Sequence, residues 1–148
     1  MCCKNEKKTF YIVCIRGQAA FKDYGEVVPN LARKFFSRIE EVAQSIGTEI
    51  AIFEPQKDAE HHEGFFYVGV IVNEPLVEVP YGMDFITLSH TYVSLRGNMN
   101  NIEQLHKQLM NWSIEQGYVR DLESLIVETY HPLTNGQEEV EIFLPIVS

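Results

Sequence analysis

The stretch YVSLRG, residues 92–97, ends an apolar run on Arg96-Gly97, and the stretch YIVCIRG, residues 11–17, ends another on Arg16-Gly17. Each places an apolar residue, Ile15 or Leu95, directly before the Arg-Gly step. Residues 9–15 are rich in β-branched and aromatic side chains and read as a buried strand. After Gly17 a loop runs to Gly25. Then Val28, Leu31, Phe35, Ile39, Val42 and Ile46 recur at three- and four-residue spacing, the stripe of an amphipathic helix over 26–46. Pro29 suits only a first helical turn, which puts the start near 26–28, and Gly47 is the stop signal. Residues 49–53 and 65–72 read as two further strands, separated by the charged loop QKDAEHHEG.

The second half follows the same order. A strand over 84–96 leads through Gly97 to a helical stripe of Ile102, Leu105, Leu109 and Trp112, and Gly117 plays the part of Gly47. Strands over 125–130 and 139–147 follow, joined through the Asn135-Gly136 turn. The expected fold class is α+β. Two pseudo-symmetric β-α-β-β repeats, about 9–73 and 84–148, form an antiparallel sheet with two helices on one face and a ligand groove on the other. Residues 1–8 read as a disordered tail, and 1–148 as one domain.

A chain of 148 residues with 45% apolar side chains buries enough surface to need neither disulfide nor metal. Twelve basic against twenty-one acidic residues give a net charge of −9, which argues against nucleic acid or an anionic membrane as direct partner. No apolar run is long enough to span a bilayer and no leader pattern opens the chain, so a cytoplasmic location is expected. Cys2, Cys3 and Cys14 lack CxxC spacing, and His61 and His62 sit side by side on a solvated loop. No metal and no cofactor are expected.

Period-two alternation puts Glu128 and Tyr130 on one face of their strand, and Val127 and Thr129 on the other. If the helices cover the Val127 face, a carboxylate sits in the groove beside an aromatic ring; an exposed place on a strand edge is the equal alternative. Tyr92, Tyr67 and Phe143 are further wall candidates, although large rings also fill cores. Trp112 belongs to the helix stripe and is a core residue with an edge available to the groove. His90 and Ser94 share a strand face with Tyr92, but no third group completes a nucleophilic triad.

The segment 92–147 carries a strand into a Gly-led turn, a helix with Asn111-Trp112, a strand with Glu128-Thr129-Tyr130 and a terminal strand ending in Pro145-Ile146-Val147. In this order it resembles the gyrase-inhibitor-like (GyrI-like) effector-binding domain, also found behind the DNA-binding parts of BmrR-type and AraC-type regulators. The resemblance implies two β-α-β-β repeats about a pseudo-twofold axis. It also implies a groove for amphipathic, often cationic small molecules, with Glu128 as counter-charge and aromatic rings as walls. Asn111 stands where an apolar neighbour of the Trp is common, and Phe143 where a Tyr is frequent, so ligand identity does not carry over. With no helix-turn-helix ahead of Phe10, a stand-alone effector-binding module for sequestration or transcription-linked sensing is expected, with a regulator as possible protein partner. Two alternatives stay open. One is a hydrolase of strained electrophilic, cyclopropane-type toxins, with Glu128 as base and Tyr130 or Tyr92 as acid. The other is a protein-binding module directed at gyrase.

Overall fold

In a computed structural model of the chain, which describes residues 3–42 and 46–147, each Arg-Gly step underlies a helix. A Cβ on Gly17 would lie 2.8 Å from the Leu31 side chain and 2.5 Å from Phe66. A Cβ on Gly97 would lie 2.7 Å from Leu105. The glycines recur because a leucine of the following helix rests on bare backbone at both places.

The elements are β1 (Lys4–Ala20), α1 (Tyr24–Phe36), β2 (Ile46–Phe53), β3 (Glu63–Val72), β4 (Asp84–Asn98), α2 (Ile102–Glu115), β5 (Ile126–Pro132) and β6 (Glu138–Pro145). This is β-α-β-β twice, the α+β class expected. All neighbouring strands pair antiparallel, in the order β1-β3-β2-β5-β6-β4, and the sheet closes into a barrel. The repeats meet at two seams, β1 with β4 and β2 with β5.

Closure separates three apolar layers. Phe10, Ile12, Ile50, Ile52, Val127 and Phe143 fill the barrel interior. Outside it, α1 packs on β1 and β3 through Phe35 against Val13, Phe66 and Val68. On the other flank α2 packs on β4 and β6 through Leu105 and Leu109 against Val93, Leu95 and Ile142. Both helices thus share the outer face, as expected, and each covers the outer strands of its own repeat. The β2–β5 seam is left between them.

Several boundaries differ from expectation. The groove does not lie on the face away from the helices, because that face is the packed barrel interior; the open surface is the seam between the helices. Residues 4–8 are not a tail but the first part of β1, paired from Lys4↔Ser94 to Lys8↔His90. Polar residues serve a strand at the barrel rim, where Glu6 lies 3.4 Å from Lys4 and 3.7 Å from Lys8. The first helix ends at Phe36, not near Ile46. Ser37 turns back to donate to the Lys34 carbonyl, and a 3-10 turn, Ile39–Glu41, keeps Ile39 and Val42 on the same apolar cluster. The apolar period therefore outlasts the helix. The helix also begins earlier, at Tyr24, so Pro29 sits inside it. Cys2, residues 43–45 and the side chain of Ile46 lie outside the described residues. Among the described residues no helix is long and apolar enough to cross a membrane.

The leucine-on-glycine contacts set an expectation for stability. Gly17→Ala and Gly97→Ala should each cost about 1–3 kcal/mol by overpacking. Gly25→Ala, where a Cβ would meet nothing within 4 Å, should cost nothing and gain some helix propensity. Urea unfolding of the three variants checks this order.

Candidate functional site

Because each helix keeps to its own flank, the β2–β5 seam forms the floor of a cleft of about 450 Å³. That falls within the usual size of small-molecule sites, roughly 300–1,000 Å³. Tyr24, Gly25, Val28 and Pro29 of α1 form one wall, and Ile102 and His106 of α2, with Met99 just before it, form the other. Phe53, Ile126, Glu128 and Tyr130 make the floor. Gly25 leaves its part of the wall open, since no side chain projects there. Pro29 has no N–H to donate four residues back, so the Gly25 carbonyl is without its usual intrahelical partner.

Glu128 is the chemical centre of the cleft. It is 7% exposed, and both of its oxygens are engaged. The Tyr130 hydroxyl donates to Oε1 at 2.7 Å, and His106 Nε2 lies 2.7 Å from Oε2. An ionised carboxylate only accepts, so Nε2 carries the hydrogen. Burial first, then the Glu128 charge, pushes the Tyr130 phenol well above its ordinary range, and it holds its proton at neutral pH. Its ring stays partly exposed along the cleft while the hydroxyl end is enclosed. Burial, with a smaller push from Glu54, likewise raises Tyr24 to about 12. Tyr24 donates to the Phe65 carbonyl at 3.3 Å. A side cavity of about 230 Å³ adjoins the cleft past Tyr130 and Met99, beside Ala32, Ala51 and Glu49.

The site is asymmetric about the seam. Ala51 is the β2 residue paired with Glu128 on β5. Leu31 and Leu105 cover the two equivalent glycines, and the next residues along their helices are Ala32 and His106. The hydrogen-bonded pair of Glu128 and His106 thus comes from the second repeat, with Ala51 across the ladder from Glu128.

Of the residues singled out from sequence, Glu128 and Tyr130 meet in the cleft. Tyr92 and Phe143 do not reach it: they face the barrel interior and pack with Phe10 in T-shaped contacts, with Tyr67 packed against the same cluster. Burial raises the Tyr92 phenol to about 12. The reason is phase: these side chains lie on the inner side of their strands, with Val127, whereas Glu128 points outward. Trp112 is also outside the cleft. It lines an open hollow on the far side of α2 with Cys3 and Lys107, and its ring lies 5.9 Å from Tyr118. His106 was not legible as a site residue, since its partner is 22 positions away and it borders an ordinary apolar stripe. Its one signal is its spacing four residues after Ile102, on the cleft side. Cys14 is buried in the barrel, and its thiol is raised to about 12 by burial, then by Asp84. His61 accepts from the Lys57 N–H, and no group of three His, Cys, Asp or Glu among the described residues is placed to hold a metal.

No protein-family model matches the chain, and no curated protein matches it in sequence. Solved structures do match in shape. SAV2435 bound to tetraphenylphosphonium has a TM-score of 0.71 at 12% identity, over 100% of this chain and 95% of that one. The EcmrR C-terminal domain has a TM-score of 0.69 at 12% identity, over 99% and 97%. A hydrolase from Listeria innocua has a TM-score of 0.58 at 9% identity, over 97% and 92%. The chain shares the fold of these structures, the GyrI-like fold that the sequence resemblance implied.

Tyr130→Phe tests the hydrogen-bonded centre. It keeps the ring but leaves Glu128 Oε1 without its donor, at a cost of about 1–3 kcal/mol in unfolding free energy. Phe53→Tyr, which touches no carboxylate partner of Glu128, serves as the control in the same denaturation series.

Proposed function

We propose that this chain is a binding module for amphipathic, cationic small molecules, held between α1 and α2 with Glu128 as counter-charge. The observation that carries this reading is a buried carboxylate at the floor of an otherwise largely apolar cleft. Apolar and aromatic surface supplies affinity there, and the charge supplies selection. A cation repays the desolvation of Glu128, and a neutral ligand of the same shape does not. That SAV2435 takes tetraphenylphosphonium, a lipophilic cation, supports the reading, as does the likeness to the C-terminal domain of EcmrR. The biological setting we infer is sequestration of such compounds or sensing through a partner protein.

The hydrolytic alternative asks for a carboxylate free to take a proton and an acid beside it. Here Tyr130 and His106 occupy both Glu128 oxygens, Tyr130 is a weakened acid, and Tyr92 is inside the barrel. Those features favour binding over turnover.

The test is calorimetric titration of tetraphenylphosphonium against neutral triphenylphosphine oxide. Glu128→Gln should weaken the cation by roughly 2 kcal/mol, about thirtyfold, and leave the neutral compound within about twofold. Recovery of the compounds at unchanged mass is expected. Equal losses for both compounds, or a product heavier by one water, would count against the proposal.

A further inference from the structure

Resting on the binding role above, we propose that His106 determines which ligands Glu128 accepts: it is a resident, displaceable partner that holds the carboxylate until a ligand cation replaces it. A permanently charged ligand takes the carboxylate only when His106 gives up its proton or its place.

Three observations on the two sides of this contact carry the inference. His106 Nε2 already sits where a ligand's charge would go, 2.7 Å from Glu128 Oε2. The His106 side chain is 29% exposed and that of Glu128 only 9%, so the imidazole is the partner with room to leave. The other carboxylate oxygen is held by Tyr130, which keeps Glu128 in place when His106 moves. The second repeat alone supplies this pair: Ala51 stands opposite Glu128, and the first repeat's Glu49 lies beside Tyr130 in the side cavity.

Charged and titratable groups reach this contact from several elements. From β5 His106 meets Glu128 and Tyr130; across the cleft stand Tyr24 of α1 and Glu54 after β2, and along its own helix Glu103 and Lys107. Past Tyr130 stand Glu49 of β2, its carboxyl raised by burial, and Glu138 of β6. Tyr24 and Tyr130 keep their protons throughout, as described above. A second imidazole, His61, lies 3.6 Å from Glu54 Oε2 and serves as the internal control.

Protonated His106 and a ligand cation compete for one carboxylate, so the sign follows directly. Cation affinity is weakest in acid, rises as imidazole deprotonates between about pH 5 and 8, and then levels off. A neutral ligand releases no proton and shows no such rise.

The experiment is titration of the full chain with tetraphenylphosphonium across about pH 5.5 to 8, in buffers of differing ionisation enthalpy, with imidazoles as the groups in range. On the rising limb, wild-type affinity should increase up to about tenfold per pH unit, with close to one proton released per cation at the acid end. His106→Gln keeps an N–H donor for Glu128 but carries no charge. It should bind in acid as tightly as the wild type does on its plateau, without proton release, while His61→Gln keeps the wild-type slope. A flat wild-type profile, or His106→Gln with the wild-type slope, overturns the role of His106 and leaves the binding module standing. No binding at any pH overturns both. If His106→Gln does not fold, the wild-type proton count decides alone: none released at the acid end overturns the inference.

Discussion

The seating of one leucine on one glycine, made once in each repeat, governs where everything else can be. Leu31 over Gly17 draws α1 onto β1 and β3, and Leu105 over Gly97 draws α2 onto β4 and β6. With both helices held to the flanks, neither lies over the β2–β5 ladder. The cleft is the space this leaves, and its floor is whatever the outward side of those two strands presents. A side chain at either glycine would displace the leucine that rests there or the helix that carries it. Stability and site geometry therefore share one contact.

What the floor presents is a carboxylate, which is costly to bury unpaired. The chain meets that cost with two unlike partners. Tyr130 is local, two residues along the same strand face, and its phenol is held protonated by burial. His106 comes from another element and is the more exposed of the pair. One partner is built to stay and the other sits where it can be replaced. With both Glu128 oxygens engaged, the site is a satisfied structure, not a strained one.

The legible and illegible parts of this arrangement divide by range. The Arg-Gly echo, the order of elements and the shared face of Glu128 and Tyr130 follow from local period and could be read directly. Closure could not, because the polar residues Lys4 to Lys8 look like a tail until β4 is seen to be long enough to pair with them. Nor could the phase between strands. Tyr92 and Phe143 are aromatic and in strands, as Tyr130 is, but only register shows that they face inward while Tyr130 faces out. The first helix stripe misled for a further reason: a 3-10 turn continued the apolar period after the helix had stopped. His106 escaped because an ion pair between a helix and a strand leaves no spacing rule in the sequence.

Among the described residues every strand pairs with a neighbour on both sides over part of its length, and the ladder lies open where β1 and β4 outrun their second partners, at 4–11 and 84–90. A ligand in the cleft touches both helices directly, so they are the nearest carriers of any message it sends outward. The barrel is the chassis against which such a displacement would be measured.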